Sequence, residues 1–124
     1  MSTLERAAHA IAVGVPAGLL LVGSAVPLPP GRNPDFGWLG PDKFLHLAGH
    51  AWLTAALARA IEAEDGPTCR GAALAVALSV GYGLATERLQ EAVPGRAFEW
   101  PDVLAGLLGS VLVVVAGRRR PRGP

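Results

Sequence analysis

Charge is scarce in this 124-residue chain: Asp, Glu, Lys and Arg make up 17% of it, against roughly 25% in ordinary soluble domains. What charge there is balances to a net +1, which gives no electrostatic footing for nucleic acid. Cysteine is nearly missing as well. The single thiol, Cys69, cannot close an intramolecular disulfide, so a cystine-stapled fold is excluded and the redox compartment stays open. At this length there is room for one domain and not for two independent soluble cores. There is no internal repeat, and the only biased tract is the tail "GRRRPRGP".

What fills the chain instead is apolar sequence, 51% of all residues, gathered into four runs with the charges between them. That pattern predicts an all-α integral membrane bundle of four transmembrane helices, with spans at about 9–28, 43–61, 70–93 and 102–117. The first run, His9 to Leu28, is about 20 residues or about 30 Å of helix, the thickness of a bilayer core. It holds Gly14 and Gly18 at GxxxG spacing, which favours close helix approach, and Pro16, which membrane helices tolerate. A cleaved signal peptide is the competing reading for this run. Its apolar stretch is longer than the usual h-region of about 7–15 residues, so a span fits better. The apolar part of the fourth run, Val103 to Gly117, has only 15 residues and needs Phe98, Trp100, local thinning or partner helices to cross. The connections "PLPPGRNPDFGWLGP", "EAEDGPT" and "PGRAFEWP" are rich in helix breakers.

Basic residues set the direction. Arg6, Arg59, Arg70, Arg118, Arg119, Arg120 and Arg122 fall on the side of the termini, whereas Arg32, Lys43, Arg88 and Arg96 fall on the other. The excess predicts a multi-pass protein of the cell membrane with both termini cytoplasmic. Trp38, Trp52 and Trp100 read as interface or packing residues, and Arg59 and Arg70 as inner anchors. Tyr82 and Ser79 read as helix-contact residues.

This orientation collects a polar ring at the outer ends of three helices: Asp42, Lys43 and His46, then Glu87, Arg88, Gln90 and Glu91, then Arg96, Glu99 and Asp102. "GPDK" and "WPDV" each place Pro and then an acid in a first helical turn, where the acid faces the positive end of the helix dipole. Capping therefore explains Asp42 and Asp102 as well as ligand work does. Glu87 and Gln90 share a face at i and i+3, and an ionisable group inside a span is costly enough to imply function or a locking ion pair. Arg96 offers a planar fork suited to carboxylate or phosphate, although a snorkelling arginine has the same address. Asp42, His46 and His50 form an i, i+4, i+8 line that could hold a metal if Glu87 joined it. No cysteine or HExxH-type pattern supports that, and no cofactor is expected.

Assembled, "DKFLH" at 42–46, "ERLQ" at 87–90, "GR" at 95–96 and "DVLAGLLG" at 102–109 resemble the signature of VanZ-like membrane proteins. That signature reads D-K-x-x-H, E-x-x-Q, Arg, then D-x-x-x-N-x-x-G, and the likeness covers nearly the whole chain from Asp42 onward. It points to Asp42, Lys43, His46, Glu87, Gln90, Arg96, Asp102 and Gly109 as the shared positions. Gly106 departs from the pattern, where the signature has Asn, and His50 stands where an aromatic is more usual. The family's namesake is associated with resistance to the glycopeptide teicoplanin, which implies a role in the cell envelope.

Three functions follow from the ring. It can bind a lipid headgroup, an envelope precursor or a glycopeptide-like molecule, with Arg96 and Lys43 on anionic groups and Glu87, Gln90 and His46 orienting them. It can be a membrane enzyme acting on a phosphate- or acyl-bearing lipid-linked substrate, with His46 or Glu87 as general base and Arg96 stabilising developing charge. Or it can be a salt-bridged clamp in a protein that acts through partner proteins. The residues favour the binding role, since no nucleophile elbow, P-loop or zinc-protease motif is present.

Overall fold

Ser2 opens the first helix. Its hydroxyl accepts from the Glu5 amide at 3.1 Å while Glu5 Oε2 accepts from the Ser2 amide at 2.8 Å, a reciprocal capping box. The computed structural model describes residues 1–26 and 41–119, with Pro41, Asp42 and Arg119 described by their backbone alone. It contains four helices in chain order: α1 (Thr3–Ala25), α2 (Pro41–Glu62), α3 (Cys69–Gln90) and α4 (Trp100–Arg119). Among the described residues there is no strand. Arg32, Trp38, Arg120, Arg122, the last two residues of the expected first span and the side chain of Asp42 lie outside the described residues.

Three helices are long and apolar enough to cross a membrane: Thr3–Ala25, Cys69–Gln90 and Trp100–Arg118. The described residues are therefore all-helical, with three candidate spans among them. α2 has the length, 22 residues, but its polar side chains keep it below the same apolar standard. Two boundaries differ from expectation for local reasons. α4 runs 20 residues, because Trp100 and Pro101 already form its first turn, and so is longer than its apolar stretch implied. α3 stops at Gln90, and Glu91 and Ala92 turn the chain through amide bonds to Arg88 and Leu89 carbonyls.

The breakers act where their chemistry requires. Gly66 takes φ 75° after α2 and donates to Glu62 O at 2.9 Å, ending that helix in a left-handed residue. Pro94 and Gly95 form the centre of a turn closed by Arg96 N to Val93 O at 3.1 Å, and Gly95 supplies the φ of 79° that a type II turn needs there. Thr68 caps α3 by accepting from Gly71 N at 2.9 Å.

α2 and α4 pack most extensively, α3 lies against both, and α1 rests on α2 and α3. The closest approach is at Gly109, where a side chain would run into the backbone carbonyl of Leu47. The Gly14–Gly18 pair, whose spacing allows such an approach, is not where α1 packs: a Cβ at either would meet nothing within 4 Å among the described residues. α1 is held instead by Leu20, which fills the space over Gly49, and by Tyr82, whose hydroxyl donates to Ala17 O at 2.5 Å.

Burial is inverted relative to a soluble protein. His46, His50, Thr54, Ser79, Thr86, Glu87, Gln90, Asp102 and Ser110 are buried, while Leu19, Val22, Phe44, Leu45, Trp52, Leu104 and Leu108 are exposed. Water would penalise so much continuous apolar surface, and lipid would not.

Candidate functional site

Helical spacing places Lys43, His46 and His50 along α2, and the three point towards α3 and α4. On α3 the buried line Ser79, Gly83, Glu87 and Gln90 faces them, and on α4 the line Asp102, Gly106, Gly109 and Ser110 does. Their ends meet in one cluster. Lys43 Nζ lies 2.7 Å from Asp102 Oδ1 and 2.8 Å from Glu99 Oε2. His46 Nε2 lies 3.5 Å from Asp102 Oδ2 and 3.7 Å from Glu87 Oε1. Glu87 and Asp102 are fully buried and His46 nearly so.

The surrounding backbone orients these groups. The Glu99 amide donates to Glu87 Oε2 at 3.0 Å, and Gln90 Nε2 donates to Ala97 O at 2.8 Å. Both bonds depend on the Pro94–Gly95 turn, which brings residues 97–99 back over the end of α3. After these bonds, Glu87 Oε1 and Gln90 Oε1 are buried acceptors without a hydrogen-bond partner. Burial alone would push the Glu99 carboxyl up, but the hydrogen bonds with Lys43 and Asp102 and the charges of Lys43 and Arg96 together outweigh it and hold the group below its ordinary value of 4.5.

Of the expected site residues, Lys43, His46, Glu87, Gln90 and Asp102 come together. Arg96 makes no hydrogen bond to the carboxylates of the cluster, although its charge acts on Glu99: its Nη2 donates to Gly23 O and ties the α3–α4 connection to α1. Asp42 is outside the described side chains. His50 is buried one turn deeper, its ring stacked 6.2 Å from that of His46 at an interplanar angle of 14°. Its Nδ1 bonds Ser79 Oγ at 2.8 Å, so it belongs to a different polar group. Of the metal line expected on Asp42, His46, His50 and Glu87, Asp42 lies outside the described side chains; among the described residues the set that converges is His46, Glu87 and Asp102.

Glu99, expected in the polar ring, closes the cluster by pairing with Lys43. One feature has no counterpart in the sequence pattern of the ring, a buried hydroxyl chain below His50: Thr54 Oγ1 donates to Ser110 Oγ at 2.7 Å, and Ser110 Oγ to Ser79 Oγ at 3.2 Å. Thr54 does continue the i, i+4 line of His46 and His50, which was the available signal.

His50 also bears on the Gly106 departure. A Cβ at Gly106 would sit 2.7 Å from His50 Cδ2, and one at Gly83 would sit 3.0 Å from His50 Cε1. The imidazole occupies a slot left open by two glycines. At the opposite end of the bundle, Arg59 and Arg118 border a cavity of about 640 Å³ with mostly apolar walls.

No family model matches the chain, and no curated protein or solved structure is significantly similar to it.

Proposed function

We propose that this is a VanZ-like multi-pass protein of the cell membrane in which all four helices cross the bilayer and both termini are cytoplasmic. In this reading the cluster around Glu87 is a binding site on the extracytoplasmic side. The inverted burial supports the membrane placement, and it extends to α2, whose outward residues Phe44, Leu45 and Trp52 are apolar and exposed.

The observation that carries the binding role is Glu87. It is 0% exposed, yet no N–H among the described residues comes within hydrogen-bond distance of Oε1. Beyond the Glu99 amide and Gln90, the side chain meets the Asp102 carboxyl and, at 3.7 Å, His46 Nε2, an arrangement expensive in a protein that gains nothing from it. At the cluster's centre Lys43 is engaged by Asp102 and Glu99, so the group received there is a hydrogen-bond donor or a cation. Arg96, bonded to Gly23 O through Nη2, keeps Nε as a buried donor without a partner among the described residues. A lipid headgroup, an envelope precursor or a glycopeptide-like molecule can each present an ammonium, amide or hydroxyl. Anionic parts of such a ligand would lie further out. A role in glycopeptide resistance fits this reading.

Native mass spectrometry of the protein released from gentle detergent tests it. The wild type should retain a discrete mass that Glu87→Gln loses. Absence of any retained mass from wild type argues against the binding role.

One observation favours a second reading, a structural clamp. Lys43 bridges Asp102 of α4 and Glu99 of the preceding connection, joining the two most extensively packed helices. In a clamp the variants would lose stability without losing a ligand.

A further inference from the structure

Glu87 and Asp102 come from different helices but are held in the same way. Each has one carboxylate oxygen fixed by the protein, Glu87 Oε2 by the Glu99 amide at 3.0 Å and Asp102 Oδ1 by Lys43 at 2.7 Å. Each turns its other oxygen towards His46 Nε2, at 3.7 and 3.5 Å. Those separations are wider than a charge-assisted N–H···O bond of about 2.7–2.9 Å. They do suit a shared central ion. Bonds of about 2.1 Å at tetrahedral angles place ligand atoms about 3.4 Å apart. The three candidate ligand atoms all lie within 4.8 Å of one another.

We infer that His46 Nε2, Glu87 Oε1 and Asp102 Oδ2 form a three-ligand site for a divalent transition cation of the zinc class, with a further coordination position open. One nitrogen and two carboxylate oxygens are a donor set that zinc accepts, and three protein ligands with an open position are the pattern of sites that act on a ligand. Lys43 and the Glu99 amide are the outer partners that aim the carboxylates. The independent sign of a ligand is Glu87 Oε1, a fully buried oxygen that no N–H among the described residues reaches within hydrogen-bond distance, aimed at the point where the ion would sit. Charge agrees: Glu87, Asp102 and Glu99 meet the ammonium of Lys43 and, at Glu99, the charge of Arg96, so the cluster has one acid in excess. His50 takes no part, because its Nδ1 is committed to Ser79 and its ring is wedged between Gly83 and Gly106.

This inference rests on the proposed binding site and names its first ligand. Its test is a titration of the full-length, untagged, chelator-treated protein in detergent with Co²⁺ as the optical probe for zinc. Cys69→Ala serves as the background, because the exposed thiol is the one competing soft ligand. The expected result is a d–d band that saturates at one Co²⁺ per chain and is displaced by Zn²⁺. Glu87→Gln and His46→Asn should abolish it while helical content by circular dichroism stays unchanged. Lys43→Met should weaken binding about 10–100-fold without abolishing it. A folded background protein with no saturable band overturns the site, and so does a band that survives at full strength in both ligand variants. An organic mass retained in native spectra without Co²⁺ binding would remove the metal and leave the binding role standing. Co²⁺ binding with no retained organic mass would do the reverse.

Discussion

Gly106 and His50 form a matched pair: the imidazole lies where a Gly106 side chain would be, with the Cβ position 2.7 Å from Cδ2. Gly106→Ala should therefore destabilise the bundle by about 1–3 kcal/mol, as overpacking does. Gly106→Asn, which introduces the residue that the VanZ-like signature has at this position, should cost at least as much in the native background. In a His50→Ala background most of that loss should disappear, a coupling of about 0.5–3 kcal/mol in a double-mutant cycle of thermal melts. Additive losses would mean that the two sites do not share the space.

Gly109 should tolerate substitution less than Gly106. Its Cβ would meet the Leu47 backbone carbonyl, which cannot rotate away as a side chain can. Gly109→Ala should give a larger drop in melting temperature than Gly106→Ala in the same detergent. An equal or smaller drop would show that α2 and α4 can separate cheaply.

These two glycines also explain what was legible in the sequence and what was not. The four helices and the gathering of polar residues at one end follow from hydropathy and breakers, which are local properties. Helix rotation is not local. "GPDK" and "WPDV" read identically, yet it is the closeness of α4 to α2 at Gly106 and Gly109 that buries Asp102 against Lys43 and His46. The same packing carries His50 past the cluster to Ser79, so equal spacing along α2 places two histidines in different networks. Gly14 and Gly18 show the opposite error, a packing motif with nothing packed on it among the described residues. Arg96 had the chemistry of a ligand fork, but its reach to Gly23 O depends on the Pro94–Gly95 turn.

The Lys43–Asp102 pair should respond asymmetrically. Lys43→Met leaves a fully buried carboxylate without its ammonium and should cost about 3–5 kcal/mol. The double variant Lys43→Met with Asp102→Leu should recover much of this, because an apolar pair needs no desolvation repayment. Thermal melts of both variants check it. A double variant as unstable as the single one would assign Asp102 a structural role beyond Lys43.

Acid should loosen the α2–α4 end through Glu99. Its folded carboxyl titrates below the unfolded value of 4.5, so its contribution is fully present above that pH and is lost as pH falls through the folded value. Glu99 is partly exposed, so solvent keeps the effect small. Glu99→Gln should flatten the decline of melting temperature below about pH 4.5 relative to wild type. An unchanged slope would show that Lys43 does not hold Glu99 in solution.

The hydroxyl chain under His50 should matter for order rather than for ligand. Ser79→Ala removes the partner of His50 Nδ1 and should cost about 1–3 kcal/mol in melts while leaving any retained mass in place. Loss of the ligand at unchanged stability would instead draw Ser79 into the site.

The most direct test of the cluster as a binding site is the melting temperature of Glu87→Gln, read beside ligand retention in the same detergent. Gln keeps the shape and an acceptor for the Glu99 amide but removes the buried carboxyl. A binding site built at the expense of stability should melt at the same temperature or higher and retain nothing. A variant that melts earlier, from a wild type that itself holds no ligand, would make Glu87 part of a lock and contradict the binding role.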